Sequence, residues 1–157
     1  MKRTAIINGR VVTPYRVLEN ATVLFENGRI VDVVRGACCT EGCEIIDAAG
    51  KIVAPGFIDI HTHGAGNHDF MDCSVEAFLG AAEMHARHGT TLLLPTATTA
   101  SIGVMKAMFS YFKEAKDKNE KGAALYGLHM EGPYFSYEQR GAQDPRFIKD
   151  PDPKAYM

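Results

Sequence analysis

The sequence has 157 residues, of which 46% are hydrophobic and 23% charged, and its formal net charge at pH 7 is -2. This balance is typical of a globular protein with a buried core, and it gives no electrostatic reason to expect nucleic acid or an anionic membrane as a partner. The first residues lead into a short alternating run, so neither a signal peptide nor a transmembrane helix is predicted, and a cytoplasmic location is expected.

The first 53 residues read as a set of short antiparallel strands. Asn27-Gly28 lies between the β-rich runs 22–25 and 30–34. Because both residues tolerate a positive φ, this pair is a strong hairpin signal. Asn8-Gly9 separates two further apolar pieces, and two more strands are expected at 44–47 and 51–53.

Three of the four cysteines, Cys38, Cys39 and Cys43, are crowded into one polar stretch, and the fourth is Cys73. Their spacing matches none of the usual zinc-binding pairs. The sequence therefore predicts free thiols in a surface turn, as in a cytosolic protein.

After Pro55 the pattern changes to strands that alternate with helices. Strand-like runs occupy 55–61, 90–95 and 124–130, and two helices between them are expected to begin after the N-cap residues Ser74 and Ser101. The apolar faces predicted for these helices are Val75, Phe78, Leu79, Ala82 and Ala86 in the first, and Ile102, Met105, Phe109 and Phe112 in the second.

A regular strand–helix–strand repeat implies a parallel sheet with right-handed crossovers. Two closures are compatible with it, an open doubly wound sheet or an eight-stranded barrel, and a barrel needs about 250 residues. The roughly 100 residues after position 54 predict three strands, which cannot close a barrel. Either the sheet is small and open, or the chain holds the first part of a barrel.

The first candidate functional segment is the His-x-His pair at the end of the run 55–61. Side chains alternate in a strand, so Asp59, His61 and His63 are expected on one face. Two imidazoles at the carboxyl end of a parallel strand can bind one metal ion, and active sites form at that end of such sheets.

The second candidate segment ends the third strand-like run. His129 and Glu131 share a face by the same parity, just before Gly132-Pro133. A carboxylate at this position can reach a metal ion held by the first strand. The polar stretch 139–148 follows and is predicted to be a loop above the sheet.

Three stretches together, 47–63, 89–96 and 127–133, resemble the amidohydrolase superfamily and, within it, the family of N-acetylglucosamine-6-phosphate deacetylases. The His-x-Glu-Gly-Pro run and the later Gly-Ala-Gln-Asp-Pro loop are the more particular to the deacetylases. The resemblance implies that residues 1–53 form part of a small β-sandwich and that 54–157 form the first three β/α units of an incomplete (β/α)8 TIM barrel.

The same resemblance implies a divalent metal ion, zinc or iron, with Glu131 as a ligand. Because His61 and His63 are both present, a site able to hold one or two metal ions is expected. The loop residues Ala142 and Gln143 are implied to contact the substrate, although many family members have His where this chain has Gln143. No catalytic acid–base residue of the family pattern falls within this sequence, since the general acid–base Asp is expected beyond Met157.

The implied reaction is hydrolysis of the acetamide of N-acetylglucosamine 6-phosphate to glucosamine 6-phosphate and acetate, by a homodimeric full-length enzyme. The 157 residues alone are expected to be inactive. The alternatives are another amidohydrolase, such as an N-acetylgalactosamine-6-phosphate deacetylase or a D-aminoacylase, and a non-catalytic metal-binding module.

Overall fold

The computed structural model describes residues 3–156, and the chain divides into two units, Met1–Pro55 and Gly56–Met157. The first unit is all β and the second alternates parallel strands with helices. The chain is therefore a mixed α/β protein with a β-rich start, as the sequence predicts.

The first unit is one sheet with the strand order β3-β2-β1-β4, and β5 also pairs with β1. Its strands are β1 (Arg3–Val12), β2 (Val17–Glu26), β3 (Arg29–Arg35), β4 (Glu44–Asp47) and β5 (Ile52–Val53). Asn27 and Gly28 have φ values of 53° and 77° between antiparallel β2 and β3. The predicted hairpin is thus confirmed, with positive φ at both central residues.

The prediction that all strands of this unit are antiparallel is wrong for β4 and β5, because both pair in parallel with β1. They follow one another along the same edge of β1 instead of forming a hairpin. The turn between them stays attached to β1, with Gly50 N donating to Asn8 O at 2.8 Å and Arg10 N to Lys51 O at 2.9 Å. Asn8 has a φ of 57°, so it produces an irregularity within β1 and not the expected break.

The core of the first unit lies on one face of β1 and β2. Its buried residues are Val11, Leu18, Ala21 and Val23. Gly9 allows β5 to approach closely, because a Cβ at this position would lie 2.7 Å from Val53 Cγ2. All four cysteines are free thiols, and Cys39 in the loop before β4 is exposed, in agreement with the predicted surface turn.

The second unit contains a parallel sheet with β9 at its centre. The chain passes through β6 (Phe57–Thr62), β7 (Gly64–Ala65), β8 (His68–Asp69), α1 (Val75–Arg87), β9 (Thr90–Ala97), α2 (Ile102–Lys118), β10 (Ala124–Leu125), β11 (His129–Met130) and α3 (Pro153–Tyr156). Strands β6, β10 and β11 all pair with β9 in parallel, while β7 and β8 form a small hairpin.

Both predicted helix starts are confirmed by N-cap hydrogen bonds. Ser74 Oγ accepts from Ala77 N at 3.1 Å, and Ser101 Oγ accepts from Val104 N at 3.3 Å. These bonds satisfy N–H groups that have no partner within the first turn of a helix. Gly89 follows α1 with a φ of 94°, a backbone conformation that favours glycine.

The third predicted strand is interrupted, because β10 and β11 are separated by residues 126–128. Between the pairs Leu125–Leu93 and His129–Thr96, three residues of this segment face two residues of β9. The additional residue breaks the ladder locally, as in a β-bulge. Strand β11 nevertheless continues the same parallel direction.

The core of the second unit packs α1 and α2 against β9. Phe70, Phe78, Leu93 and Met108 are fully buried there. The apolar face predicted for α2 is partly wrong: Phe112 packs against the core, but Ile102 and Phe109 are about half-exposed, and the fully buried residues of α2 are Met108 and Ala115. The first part of this helix carries apolar residues around much of its circumference, so their periodicity does not identify the packed face.

Candidate metal centre

His61 and His63 lie where β6 departs from regular pairing with β9. Between the pairs Asp59–Leu93 and Thr62–Pro95, two residues of β6 face one of β9. The backbone N–H groups at this irregularity are paired with side chains: His61 N donates to Asp59 Oδ1 at 3.1 Å, and Thr62 N to Thr96 Oγ1 at 3.0 Å. The backbone that carries the two histidines is thus held without a regular ladder.

Glu131 directly follows β11 and lies next to the two histidines. Its backbone N donates to Ala97 O at 3.0 Å, which extends the pairing of β11 with β9 by one residue. Its Oε2 lies 3.2 Å from Nε2 of His61 and 3.2 Å from Nε2 of His63. Among residues 3–156 these three form the only group of three His, Cys, Asp or Glu residues with one donor atom each within 4.8 Å of the others.

This donor set fits a divalent transition metal. Two imidazole nitrogens and a carboxylate oxygen are ligands that zinc and iron accept. Ligand atoms around a tetrahedral zinc ion stand about 3.3 Å apart, and the two distances from Glu131 Oε2 are 3.2 Å. The side chains of His61, His63 and Glu131 retain 50%, 40% and 24% of their exposure, so the group is open to solvent.

A second observation concerns Nδ1 of His63, the ring nitrogen that does not face Glu131. Nδ1 of His63 is buried and has no hydrogen-bond partner among the residues that the structure describes. A buried polar atom without a partner is unfavourable in an ordinary structural histidine. The Nε2 atom of the same ring faces Glu131, so the ring is oriented toward the group and not toward a packing partner.

The predicted substrate-binding loop residues Ala142 and Gln143 are not members of the group of donor atoms formed by His61, His63 and Glu131. Ala142 is exposed, whereas Gln143 is buried and its Oε1 accepts from Thr99 N at 2.8 Å. Thr99 Oγ1 in turn donates to Glu131 O at 3.4 Å. Gln143 is therefore connected to the backbone of Glu131 through Thr99.

An ion pair follows directly in this loop. Arg146 Nη2 lies 2.6 Å from Asp144 Oδ2, and the hydrogen bonds from Arg146 hold the pKa of Asp144 below its ordinary value. Both groups are therefore charged at neutral pH.

Three residues around the site have no role in the sequence-based site prediction: His129, which contacts His61, and Thr96 and His85, which both contact Thr62. His129 places its ring 4.7 Å from that of His61 in an edge-on arrangement. His85 Nε2, on α1, lies 3.2 Å from Thr62 Oγ1. Strand parity places His129 on the face of Glu131, but no pattern in the sequence indicates that α1 brings His85 to the end of β6.

No helix in the described part of the chain is long and apolar enough to cross a membrane. A family model described as the amidohydrolase family matches residues 52–156. The chain is 36% identical to the N-acetylglucosamine-6-phosphate deacetylase of Haemophilus influenzae over 96% of its own length and 39% of that protein. It is 32% identical to the deacetylase of the same name from Bacillus subtilis over 90% of its length and 37% of the relative.

Comparison with solved structures also finds similarity to N-acetylglucosamine-6-phosphate deacetylases. The N-acetylglucosamine-6-phosphate deacetylase of Pasteurella multocida matches with a TM-score of 0.86 at 28% identity, over 98% of this chain and 40% of that one. A mutant of the Mycobacterium smegmatis enzyme in complex with N-acetyl-D-glucosamine-6-phosphate matches with a TM-score of 0.81 at 26% identity, over 98% and 39%. The chain thus spans about two fifths of the length of these relatives. Since the family model matches more than half of the sequence, the chain belongs to the amidohydrolase family.

Proposed function

We propose that this chain is the N-terminal part of a metal-dependent deacetylase that hydrolyses N-acetylglucosamine 6-phosphate to glucosamine 6-phosphate and acetate. The observation that carries the proposal is the convergence of His61, His63 and Glu131 from two strands onto one point. The substrate is suggested by the names of the relatives, one of which is a complex with N-acetyl-D-glucosamine-6-phosphate.

The corresponding fold proposal is that residues 1–53 belong to a small β-sandwich and that 54–157 form the first three β/α units of a (β/α)8 barrel. Three observations support the barrel part of this proposal: the strands of the second unit's main sheet are parallel, helices α1 and α2 connect them, and His61 and Glu131 lie at strand carboxyl ends. An apolar groove of about 400 Å³ is lined by residues of α2 and of the turn at Pro133.

We propose that His61, His63 and Glu131 hold zinc or iron, with one or two ions per site. A divalent metal ion bound there supplies an acidified water and polarises the amide carbonyl. For this role each imidazole has to be neutral and to present Nε2, the atom that already faces Glu131 Oε2 in both rings.

Substrate contact is assigned to the loop at Ala142 and Gln143. Because the Gln143 carboxamide oxygen accepts from Thr99 N, its contribution to a substrate would be an N–H donor. The general acid–base aspartate of the family pattern is expected beyond Met157. We also infer a homodimeric, cytoplasmic full-length enzyme, as the family resemblance implies.

The test is a paired assay of acetate release from N-acetylglucosamine 6-phosphate with Zn²⁺ or Fe²⁺. It compares the 157-residue chain with the full-length protein, meaning the longest protein that its reading frame encodes. Activity confined to the full-length protein is the expected result. Release of acetate from N-acetylgalactosamine 6-phosphate instead, or from neither sugar, would contradict the proposed substrate.

Two variants and a matched control locate the site. We expect His61→Ala and His63→Ala to abolish stoichiometric Co²⁺ uptake by the full-length protein and to lower acetate release. His88→Ala removes an exposed histidine directly after α1 whose Nδ1 contacts Met84 O, and it should change neither. Equal metal uptake by all three variants would show that the metal, if any, is bound elsewhere.

A further inference from the structure

We propose that Thr96 is a positioning residue for the metal centre, an inference that rests on the function proposed above. Thr96 lies in β9, the central strand of the sheet, and its side chain is fully buried. Strand β9 pairs with both strands that lead to the candidate ligands. These are β6, which contains His61 and ends just before His63, and β11, which ends just before Glu131.

The hydroxyl of Thr96 has three partners on three strands. It accepts from Thr62 N at 3.0 Å, donates to Leu94 O at 3.3 Å, and lies 3.3 Å from His129 Nδ1. A hydroxyl group offers one donor and two acceptor positions. All three contacts are satisfied together when His129 Nδ1 carries its proton and donates to Thr96.

The bond to Thr62 replaces a missing ladder bond. Thr62 lies between the two candidate histidine ligands, at the place where two residues of β6 face one of β9. The Thr96 hydroxyl therefore fixes the His61–Thr62 peptide unit, one of the two that separate His61 from His63. A ladder carbonyl does not do this here, because Thr62 N is bonded to the side chain.

The bond to His129 acts on the same group from the other strand. The His129 ring contacts the His61 ring edge-on at a centroid distance of 4.7 Å, and His129 is two residues before Glu131. A ring held at Nδ1 has a defined orientation and a defined tautomer. Thr96 thereby limits both the position of His61 and the exit of β11 toward Glu131.

The experiment is a Co²⁺ titration of the metal-free full-length protein, followed by visible absorption, with the thermal midpoint measured alongside. Thr96→Val keeps the shape and removes the oxygen, and we expect its Co²⁺ affinity to fall roughly 10-fold to 100-fold, the range seen when partners of metal ligands are removed. Thr96→Ser keeps the oxygen, so it should bind Co²⁺ within about threefold of the wild type, a smaller change than that range.

The matched control is Thr22→Val in the first unit. Thr22 is also a buried threonine, 2% exposed, whose Oγ1 donates to Gly36 O at 3.1 Å. Its loss should lower the thermal midpoint and leave Co²⁺ affinity unchanged. A purely structural role for Thr96 would make the Thr96 and Thr22 variants alike.

The possible failures are distinguishable. A wild-type protein that takes up no Co²⁺ would refute the metal centre and this inference with it. Normal uptake by the wild type with equal affinity in Thr96→Val would refute the role of Thr96 alone. If Thr96→Val does not fold, the serine variant decides: retained affinity despite a lowered midpoint supports the inference, and lost affinity overturns it.

Discussion

Gly132, directly after Glu131, is predicted to tolerate a side chain poorly. Its φ is +92°, in the region that L residues rarely adopt. A Cβ built there would lie 2.1 Å from Thr99 Oγ1, 2.9 Å from Phe135 Cε2 and 3.2 Å from Thr99 Cβ. Rotating the Thr99 hydroxyl away would leave the contact with its Cβ, so the backbone has to move.

The size of the effect can be worked out against a second glycine. Gly141 has a φ of +60° and nothing within 4 Å of the position of a Cβ. Gly141→Ala therefore carries only the left-handed backbone cost, about 1–2 kcal/mol. Gly132→Ala carries the same cost plus an overlap in a packed region worth about 1–3 kcal/mol, giving about 2–5 kcal/mol in total.

The measurement is urea unfolding of both variants of the full-length protein, together with Co²⁺ affinity. Thr99 Oγ1 donates to Glu131 O, so a displaced Thr99 should move Glu131 and weaken Co²⁺ binding in Gly132→Ala but not in Gly141→Ala. Equal destabilisation by the two substitutions, or unchanged Co²⁺ affinity in Gly132→Ala, would refute this reasoning.

Three further predictions follow from the same structure. Zn²⁺ at about 100 times its dissociation constant should raise the unfolding free energy of the full-length protein by about 2.7 kcal/mol, and EDTA or Glu131→Gln should remove this gain in calorimetry. Burial, with the nearby Asp72 carboxylate, raises the pKa of Cys73, so iodoacetamide at pH 8 should label exposed Cys39 faster, as followed by mass spectrometry. Ile58 and Ile60 are 66% and 62% exposed, so the 157-residue chain should associate in sedimentation velocity, and Ile58→Thr/Ile60→Thr should reduce the associated fraction; a monomeric wild-type chain would contradict this.

The elements that the sequence predicted well are those with local signals. Ser74 and Ser101 each supply a hydroxyl to the first turn of a helix, and Asn27-Gly28 supplies the two positive φ values of a hairpin. Such signals depend on residues within four positions of one another. The parallel pairing of β4 and β5 with β1 depends on residues about 40 positions apart, and no local pattern distinguishes it from a hairpin.

The prediction for the packed face of α2 is partly wrong for a related reason. Ile102, Met105 and Phe109 follow helical periodicity as well as the buried Met108 and Ala115 do. Periodicity identifies apolar stripes, but the choice between two stripes depends on where the sheet lies. That choice is a tertiary effect and is absent from the helix sequence itself.

The metal centre depends both on local sequence pattern and on pairing between distant strands. Parity along a strand places His61 with His63, and His129 with Glu131, yet parity alone assumes an uninterrupted ladder. Here β6 carries one extra residue opposite β9 between Asp59 and Thr62, and the segment before β11 carries one extra residue just before His129. Such insertions leave the strand free to re-aim its side chains and also leave N–H groups without carbonyl partners. The side chains of Asp59 and Thr96 accept from the two such groups in β6. A buried threonine in a central strand is therefore informative in this fold when the neighbouring strand bears metal ligands, because its hydroxyl can replace the ladder where the ladder has been broken.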